Sequence, residues 1–388
     1  MSSMFADRTK WNLESNRLSA ALAKHRAEGR RIIDLTISNP TECGFEYDCA
    51  AILDAFGNNS AMRYEPNAQG LEIARRAVAG YYAERGDEVT PKDMFLTTGT
   101  SEGYSFVFRL LCNPGDEALV PTPSYPLLDF LADIQDVKLM RYPLVYDHGW
   151  QIDFHALERA ITSRTRALVV VHPNNPTGHF TKQEEMSRLN EMCARREIAL
   201  IADEVFLDFA LRERRHVSFA ANAAALTFTM SGLSKISGLP QMKLAWLIVN
   251  GPAHLKTQAV ARLEVIADAY LSMNAPIQLA APVFLAQCSN FQKQLMARVK
   301  ENLAELDRQL AAQKACARLE VEGGWYAVLR VPAMRSDEDL AIELLNAKEV
   351  FVHPGHFYDF SSDGYLVVSL IAPAQEFARG MKLLLGTF

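Results

Sequence analysis

Short apolar runs alternate with amphipathic stretches through the middle of the chain, and this alternation restricts the fold more than any other feature. The runs lie at residues 94–97, 117–120, 137–140, 167–171, 198–202, 226–230 and 244–249. Helical patterns separate several of them, at residues 101–111, 124–134 and 182–195. Strands that alternate with helices are typical of a mostly parallel sheet covered by helices on both faces. The sequence therefore predicts an α/β fold whose ligands bind beyond the carboxyl ends of the strands.

The pattern changes near residue 275. A long helical stretch extends to about residue 314, and strand-like pieces then alternate with one more helix, at residues 319–321, 326–330, 337–347, 350–352 and 366–370. This arrangement is typical of an α+β unit. We predict an N-terminal segment of residues 1–44 that packs with the small domain, a large domain of residues 45–275, and a small domain of residues 276–388.

Composition argues against several classes of protein. The formal net charge of -6 disfavours a nucleic-acid partner, because neutralising phosphates requires a basic surface. The six cysteines form no C-x-x-C pair, so neither a zinc site nor a disulfide framework is indicated. The N-terminus is polar, and no apolar run approaches the roughly 20 residues that span a bilayer. We expect a soluble, cytoplasmic protein that binds no metal.

One lysine stands out from its surroundings. Lys235 lies among serine and glycine residues in the stretch Ser231–Lys243, between two apolar runs. A lysine that is desolvated in a narrow site can form Schiff bases with carbonyl compounds. A solvated loop lysine would have the same local sequence, so this stretch alone does not identify a function.

Four further stretches place a polar or aromatic side chain just after a predicted strand. Residues 97–101 begin a helix with glycine and hydroxyl residues, which suits a phosphate but also suits an ordinary helix cap. Tyr125 stands between prolines, where its ring could stack on a flat ligand or simply fill a turn. Asn175 lies in the rigid stretch His172–Gly178, and Asp203 ends an apolar strand. A buried aspartate needs a cationic partner, and a protonated pyridine nitrogen would be one.

Taken together, these stretches resemble the class I and II aminotransferases of fold type I, which use pyridoxal 5′-phosphate. The resemblance covers nearly the whole chain and depends on the order of the motifs. Asp203 follows Asn175 by 28 residues, and Lys235 follows Asp203 by 32 residues. The resemblance implies a mostly parallel seven-stranded sheet flanked by helices, a smaller α+β domain, and a homodimer.

The resemblance also implies a role for each matching residue. Lys235 is expected to form the Schiff base and then to shuttle the Cα proton. Asp203 is expected to hold the ring nitrogen protonated, so that the ring withdraws electrons, and Asn175 to donate to the phenolate oxygen. The other expected cofactor contacts are Tyr125 against the ring, Phe206, and a phosphate site of Gly99, Thr100, Ser101, Ser231, Ser234 and Lys243. Tyr64 is expected to reach the phosphate in the neighbouring subunit, and the substrate is expected at Ser38, Asn39, Tyr125 and Asn175.

Three positions depart from the family pattern. Lys243 replaces an arginine, and a lysine neutralises phosphate without chelating it. Phe206 replaces a tyrosine that donates to the phenolate oxygen. Val367 stands where the family has the arginine that clamps the substrate carboxylate. Either another cation serves, for which Arg63, Arg330, Lys243, His353 and His356 are candidates, or the substrate lacks a conventional α-carboxylate.

The predicted function is transfer of an amino group between an amino acid and a 2-oxo acid, by a ping-pong mechanism. The same fold also supports lyases, decarboxylases and cyclases, and a relative that binds the cofactor without turnover is a further alternative. The glycine-rich turn before Trp325 and Tyr326 resembles one that lies beside the substrate in the family, so either ring is a candidate substrate contact.

Overall fold

The computed structural model describes residues 4–126, 128–212 and 216–388. Its strands are β1 (Ile33–Asp34), β2 (Met94–Thr97), β3 (Glu117–Thr122), β4 (Lys138–Tyr146), β5 (Trp150–Ile152), β6 (Thr165–Val171), β7 (Ala199–Asp203), β8 (Thr227–Gly232), β9 (Ala245–Asn250), β10 (Ala317–Arg318), β11 (Tyr326–Arg330), β12 (Val350–Phe351), β13 (His353–Pro354) and β14 (Tyr365–Ser369).

The α-helices are α1 (Arg17–Ala27), α2 (Cys49–Asp54), α3 (Glu72–Glu84), α4 (Thr100–Leu111), α5 (Leu128–Ile134), α6 (Phe154–Ala160), α7 (Gln183–Arg196), α8 (Leu233–Ile236), α9 (Ala253–Asp268), α10 (Ala275–Ala286), α11 (Cys288–Leu310), α12 (Asp337–Lys348) and α13 (Ala374–Leu385). Short 3-10 helices lie at Asp7–Thr9, Pro40–Glu42, Asn59–Met62, Pro91–Asp93, Phe219–Ala221, Pro240–Met242 and Gly355–Tyr358. None of the helices within the described ranges is long and apolar enough to cross a membrane.

An eight-stranded sheet organises the middle of the chain, in the order β2-β9-β8-β7-β6-β3-β4-β5. The pairs β8/β7, β7/β6, β6/β3 and β3/β4 are parallel. The outer pairs β2/β9, β9/β8 and β4/β5 are antiparallel. This confirms the predicted α/β fold with a mostly parallel central sheet.

The central strands are apolar at consecutive positions because helices cover both of their faces. In β6, Val169 packs in the same core cluster as Val107 of α4 and Leu263 of α9. The preceding residue, Leu168, packs on the opposite face of the sheet, in the cluster that contains Leu189 of α7. Successive strand residues point to opposite faces, so a strand buried on both sides has no polar alternation.

The sheet differs from the prediction in one strand. Seven of its strands were predicted, and β5 is an eighth that pairs with the outer part of β4. With only three residues, β5 carries too short a pattern to be identified from sequence alone. Its antiparallel pairing depends on the turn that follows β4.

A second sheet forms after the long helices, with the antiparallel order β10-β11-β14-β13. The N-terminal part of the chain packs beside it, since β1 pairs in parallel with β12 and α1 contacts α12. The predicted helical stretch to residue 314 consists of two helices, α10 and α11, that meet at Gln287. The predicted strand at 319–321 lies instead at Ala317–Arg318, two residues earlier.

Candidate active site

A pocket lies beyond the carboxyl ends of the parallel strands, between them and the small sheet. β6 ends at Val171 and β7 ends at Asp203, and both residues line it. β8 runs directly into α8, which brings Ser234 and Lys235 to the same edge. The remaining described lining comes from Ser38, from Thr100, Ser101 and Tyr104 of α4, from Tyr125, Leu128 and Leu131, and from Asn175, Val205, Phe206 and Tyr326. The pocket thus lies where the strand order predicted it.

Lys235 faces an aromatic wall. Its Nζ lies 4.9 Å from the centre of the Trp325 ring and 5.6 Å from that of Phe206. Burial lowers the pKa of Lys235 to about 8, while the negative charge of Asp203 acts in the opposite direction. An amine with this pKa is neutral far more often near pH 7 than an ordinary lysine, and the neutral amine is the nucleophile.

Asp203 lies at the end of β7 with few partners. Its Oδ1 accepts a hydrogen bond of 3.2 Å from the Val205 N–H, and its Oδ2 accepts one of 3.3 Å from the Tyr104 hydroxyl. Burial raises the pKa of this carboxyl to about 6, and the two hydrogen bonds and Lys235 only partly oppose that rise. A cation placed against Asp203 would stabilise its charged form.

Tyr104 was not identified from the sequence. It lies on the same face of α4 as Thr100 and Ser101, three to four residues further along the helix, and all three line the pocket. Helical spacing from the predicted phosphate loop was a signal that could have found it.

Asn175 lies in a turn that its neighbours hold rigidly. The side chain of Asn174 accepts from the Thr177 N–H at 3.4 Å and from the Thr177 hydroxyl at 2.8 Å. Gly178 has φ +71, and a Cβ there would lie 2.4 Å from Val321 Cγ2, so only glycine fits. Asn175 itself is 8% exposed, and its Oδ1 has no hydrogen-bond partner among the described residues. The turn therefore presents a fixed amide to the pocket.

The start of α4 forms the candidate phosphate site. Thr100, Ser101 and Ser234 line the pocket there. The ammonium of Lys243 is close by, since a Cβ built on Gly99 would lie 3.7 Å from Lys243 Nζ. Backbone N–H groups at a helix start, hydroxyls and a cation are together suited to an anion.

Besides Gly99 and Lys243 at the start of α4, three further predicted site residues are not among the described residues that line the pocket. Ser231 is buried within β8, and its hydroxyl donates to the Glu204 carbonyl at 3.5 Å. The Asn39 side chain accepts from the Thr41 N–H and caps the short helix that follows. Tyr64 is 72% exposed at the surface of its own chain. By contrast, Ser38, Tyr125 and Phe206 line the pocket.

No cation other than Lys235 is found among the described residues that line the pocket. Of the candidates for a carboxylate partner, Arg63 and His356 are exposed, and Arg330 lies over the Tyr146 ring at 5.9 Å. Lys243 lies at the start of α4, and His353 contacts Tyr358. The described residues also contain no cluster of side chains that could hold a metal ion.

Comparison with known proteins identifies the family. The sequence model of the family described as aminotransferase class I and II matches residues 30–374. The chain belongs to this family. It is 28% identical over 352 residues to a glutamate-pyruvate aminotransferase of Haemophilus influenzae, which covers 88% of this chain and 87% of the relative. It is 28% identical over 380 residues to an alanine aminotransferase of Mycobacterium tuberculosis, with 94% and 87% covered.

Solved structures of aminotransferases share the fold. An aminotransferase from Escherichia coli superposes with a TM-score of 0.87 at 24% identity, over 99% of this chain and 97% of that chain. A mutant aspartate aminotransferase from Thermus thermophilus has a TM-score of 0.87 at 21% identity, over the whole of both chains. These structures confirm the predicted fold, and the family model confirms the predicted family, which implies dependence on pyridoxal 5′-phosphate.

The pocket of this class I and II aminotransferase fits that cofactor. Asp203 has an elevated pKa that a protonated ring nitrogen would relieve, and Asn175, whose Oδ1 has no hydrogen-bond partner among the described residues, lies in the same pocket. An anion site stands at the start of α4 with Lys243 beside it. These protein groups thus match the ring nitrogen, the ring oxygen and the phosphate of the cofactor.

Proposed function

We propose that this protein is a pyridoxal 5′-phosphate-dependent aminotransferase that transfers an amino group between an amino acid and a 2-oxo acid in two half-reactions. The supporting observation is a lysine with a lowered pKa that shares one pocket with Asp203 and Asn175 at the strand ends. The names of the relatives make alanine and glutamate the first amino donors to test.

The cofactor would be held by the residues of the two strand ends and of α4. When bound, pyridoxal 5′-phosphate supplies an aldehyde that bonds to amines and a ring that withdraws electrons from the reacting carbon. Asp203 would bind the protonated ring nitrogen, and Asn175 would donate its amide N–H to the ring oxygen. The first backbone amides of α4, with Ser234 and Lys243, would bind the phosphate.

Lys235 would act twice. Its neutral amine would be the nucleophile that bonds to the cofactor aldehyde. The same Nζ would be the base that takes a proton from the substrate Cα and the acid that returns it. A base with a pKa of about 8 suits both directions of proton transfer near neutral pH. The Trp325 and Phe206 rings lie on one side of Nζ, and burial keeps its pKa low.

A homodimer with shared sites is part of the proposal. Met62 and Tyr64 are 91% and 72% exposed on the same loop, which is unusual for large apolar and aromatic side chains that serve no contact. Tyr64 lies outside the pocket of its own chain, so a contact with the cofactor phosphate would have to be made in a neighbouring subunit. Closed symmetric dimers allow each chain to complete the other's site.

The Lys235→Ala variant tests the function. We expect wild-type protein with added cofactor to absorb in the visible range, to be trapped by borohydride on the peptide of Lys235, and to convert to the pyridoxamine form with an amino acid. In Lys235→Ala we expect no trapped adduct and a loss of turnover of about a thousandfold or more, since it removes both nucleophile and base.

Lys256→Ala is the matched control, because Lys256 pairs with Asp93 at 2.9 Å outside the pocket and its loss should leave turnover unchanged. Release of pyruvate and ammonia in place of pyridoxamine formation would favour a lyase. A protein that binds cofactor and converts no amine in a broad screen would be a non-catalytic relative.

A further inference from the structure

The small sheet forms the pocket wall opposite the strand ends, and its inner face is defined by strand register. Val367 of β14 lies directly opposite Val328 of β11 on one side and His353 of β13 on the other. Residues opposite each other in antiparallel strands project to the same face, as do alternate residues of one strand. Tyr326 is two residues before Val328 and lines the pocket. Val367 and His353 therefore belong to the face that Tyr326 presents to the pocket.

The side chains beside Val367 on that face are uncharged. Val367 is 1% exposed, and beside it His353 Nδ1 lies 3.1 Å from the Tyr358 hydroxyl. Burial lowers the pKa of His353 to about 4, so its imidazole is neutral at pH 7. A guanidinium extending from position 367 would have to displace this buried pair.

The segment of Tyr358 also contacts the loop that carries Tyr125. Burial, together with the nearby phenols of Tyr326 and Tyr125, raises the pKa of Tyr358. The Tyr358 carbonyl accepts from the Ser124 N–H at 2.9 Å, which ties the two segments together. Ser38 and the Tyr326 ring line the same pocket, and burial raises the pKa of Tyr326 to about 12. Near Tyr326 the wall thus offers neutral hydroxyls, and Arg330, the cation at the far end of the same face, lies over the Tyr146 ring and outside the pocket lining.

A carboxylate would meet an unfavourable environment there. Lys235 is the one cation among the described lining residues. In the proposed function it bonds to the cofactor and acts as base on the substrate, so it is not a partner for a substrate carboxylate. Asp203 contributes a negative charge, and the cofactor phosphate would add more. A carboxylate removed from water without a cationic partner costs several kcal/mol, whereas a carboxamide or hydroxyl group costs much less.

We propose that this wall, with Tyr326 as its hydrogen-bonding residue, binds an uncharged group of the substrate, so that amino acids whose carboxylate is replaced by a carboxamide or a hydroxymethyl group are substrates. The proposal rests on the proposed function and names its substrate class. An enzyme with a bidentate arginine clamp would lose a few kcal/mol of binding with such compounds, which is a hundredfold or more in kcat/KM. In this protein we expect no such loss of kcat/KM with the neutral compounds.

The experiment compares matched amines on the cofactor-loaded enzyme. L-alanine, L-alaninamide and L-alaninol share one side chain, and L-phenylalanine with L-phenylalaninamide forms a second set. The rate of conversion of the bound cofactor to its pyridoxamine form gives kcat/KM for each compound. We expect the neutral compounds to react within tenfold of the parent amino acid, or faster. A preference of more than tenfold for the carboxylate in both sets overturns the proposal, and so does a loaded enzyme that converts none of these amines.

Two variants locate the recognition. Tyr326→Phe should raise KM about fivefold for L-alaninamide and L-alanine alike, the effect of one neutral hydrogen bond, with kcat changed less than twofold. Tyr270→Phe is the matched control and should change neither constant, because Tyr270 is 52% exposed and lies outside the pocket lining. An unchanged KM in Tyr326→Phe, or a rise for L-alanine alone, contradicts the assignment.

A cation from a neighbouring subunit is the competing explanation, and exposed Arg63 next to Tyr64 is the candidate. If Arg63→Ala lowers kcat/KM for L-alanine more than tenfold and spares L-alaninamide, an ion pair binds the carboxylate and the proposal is wrong. If Arg63→Ala treats both amines alike, the neutral wall is supported. A protein that binds no cofactor at all would instead refute the proposed function, and absorbance separates the two failures.

Discussion

The two sides of the pocket differ in how they are built and in their charge. One side is the edge of the parallel sheet, where Asp203, Asn175 and Lys235 project from strand ends and the start of a helix. The other side comes from the antiparallel sheet, where Tyr326 faces the pocket and Val367 lies buried on the same face of the sheet. Under the proposed function, the first side supplies the ionisable groups for cofactor chemistry, and the second supplies neutral ones. Cofactor chemistry and substrate recognition would then depend on different sheets.

The largest effect is expected from a change on the charged side. Asp203→Asn should lower the rate of the first half-reaction about a hundredfold or more, because a neutral amide cannot hold the ring nitrogen protonated. KM for the amine should change little, since the opposite wall is intact. Single-turnover absorbance measurements give both constants.

Asp153→Asn is the control, since Asp153 caps α6 through the Ala156 N–H and asparagine caps equally well. A rate for Asp203→Asn within threefold of wild type would contradict the assignment of cofactor chemistry to the side of the pocket that carries Asp203.

A smaller effect is expected where the aromatic wall meets the cofactor. Phe206→Tyr would add a phenol that donates to the ring oxygen, which favours the form that has lost its proton. The pH midpoint of the bound cofactor's absorbance should therefore fall by about one unit, because one neutral hydrogen bond contributes about 1 kcal/mol and one pKa unit is about 1.4 kcal/mol. Wild-type protein should keep the proton to higher pH.

The titration of Phe206→Tyr is compared with that of Phe357→Tyr, which adds a hydroxyl outside the pocket lining. Equal midpoints in Phe206→Tyr and wild type would show that position 206 does not face the ring oxygen.

The smallest effect is expected at Tyr64, which in the proposed dimer contacts the cofactor phosphate of the neighbouring subunit. Tyr64→Phe should raise the dissociation constant of the cofactor about fivefold, the loss expected for one hydrogen bond to phosphate from a neutral hydroxyl. Equilibrium dialysis measures the constant, and sedimentation tests for the dimer. Tyr270→Phe, a similarly exposed tyrosine, is the comparison. A monomer that binds cofactor as tightly as wild type would contradict the shared site.

Sequence patterns predicted the charged side better than the neutral side. Asp203 and Asn175 were found because parallel strands end at one edge, so residues that follow different strands must lie close together. Ser231 was also predicted there, but it lies within β8, and its hydroxyl bonds to Glu204 instead of facing the pocket. Tyr104 was missed because its contact with Asp203 spans 99 residues of chain.

The sequence by itself determined the α/β alternation, the family, and the positions of Lys235, Asp203 and Asn175, because each follows from a local pattern and the order of those patterns. Only the tertiary structure decided what stands opposite them. The sequence shows that Val367 is not an arginine, but the pairing of β13 with β14 places His353 beside Val367 and Tyr358 against His353. Strand register sets which side chains share a face, and that register depends on contacts between distant parts of the chain.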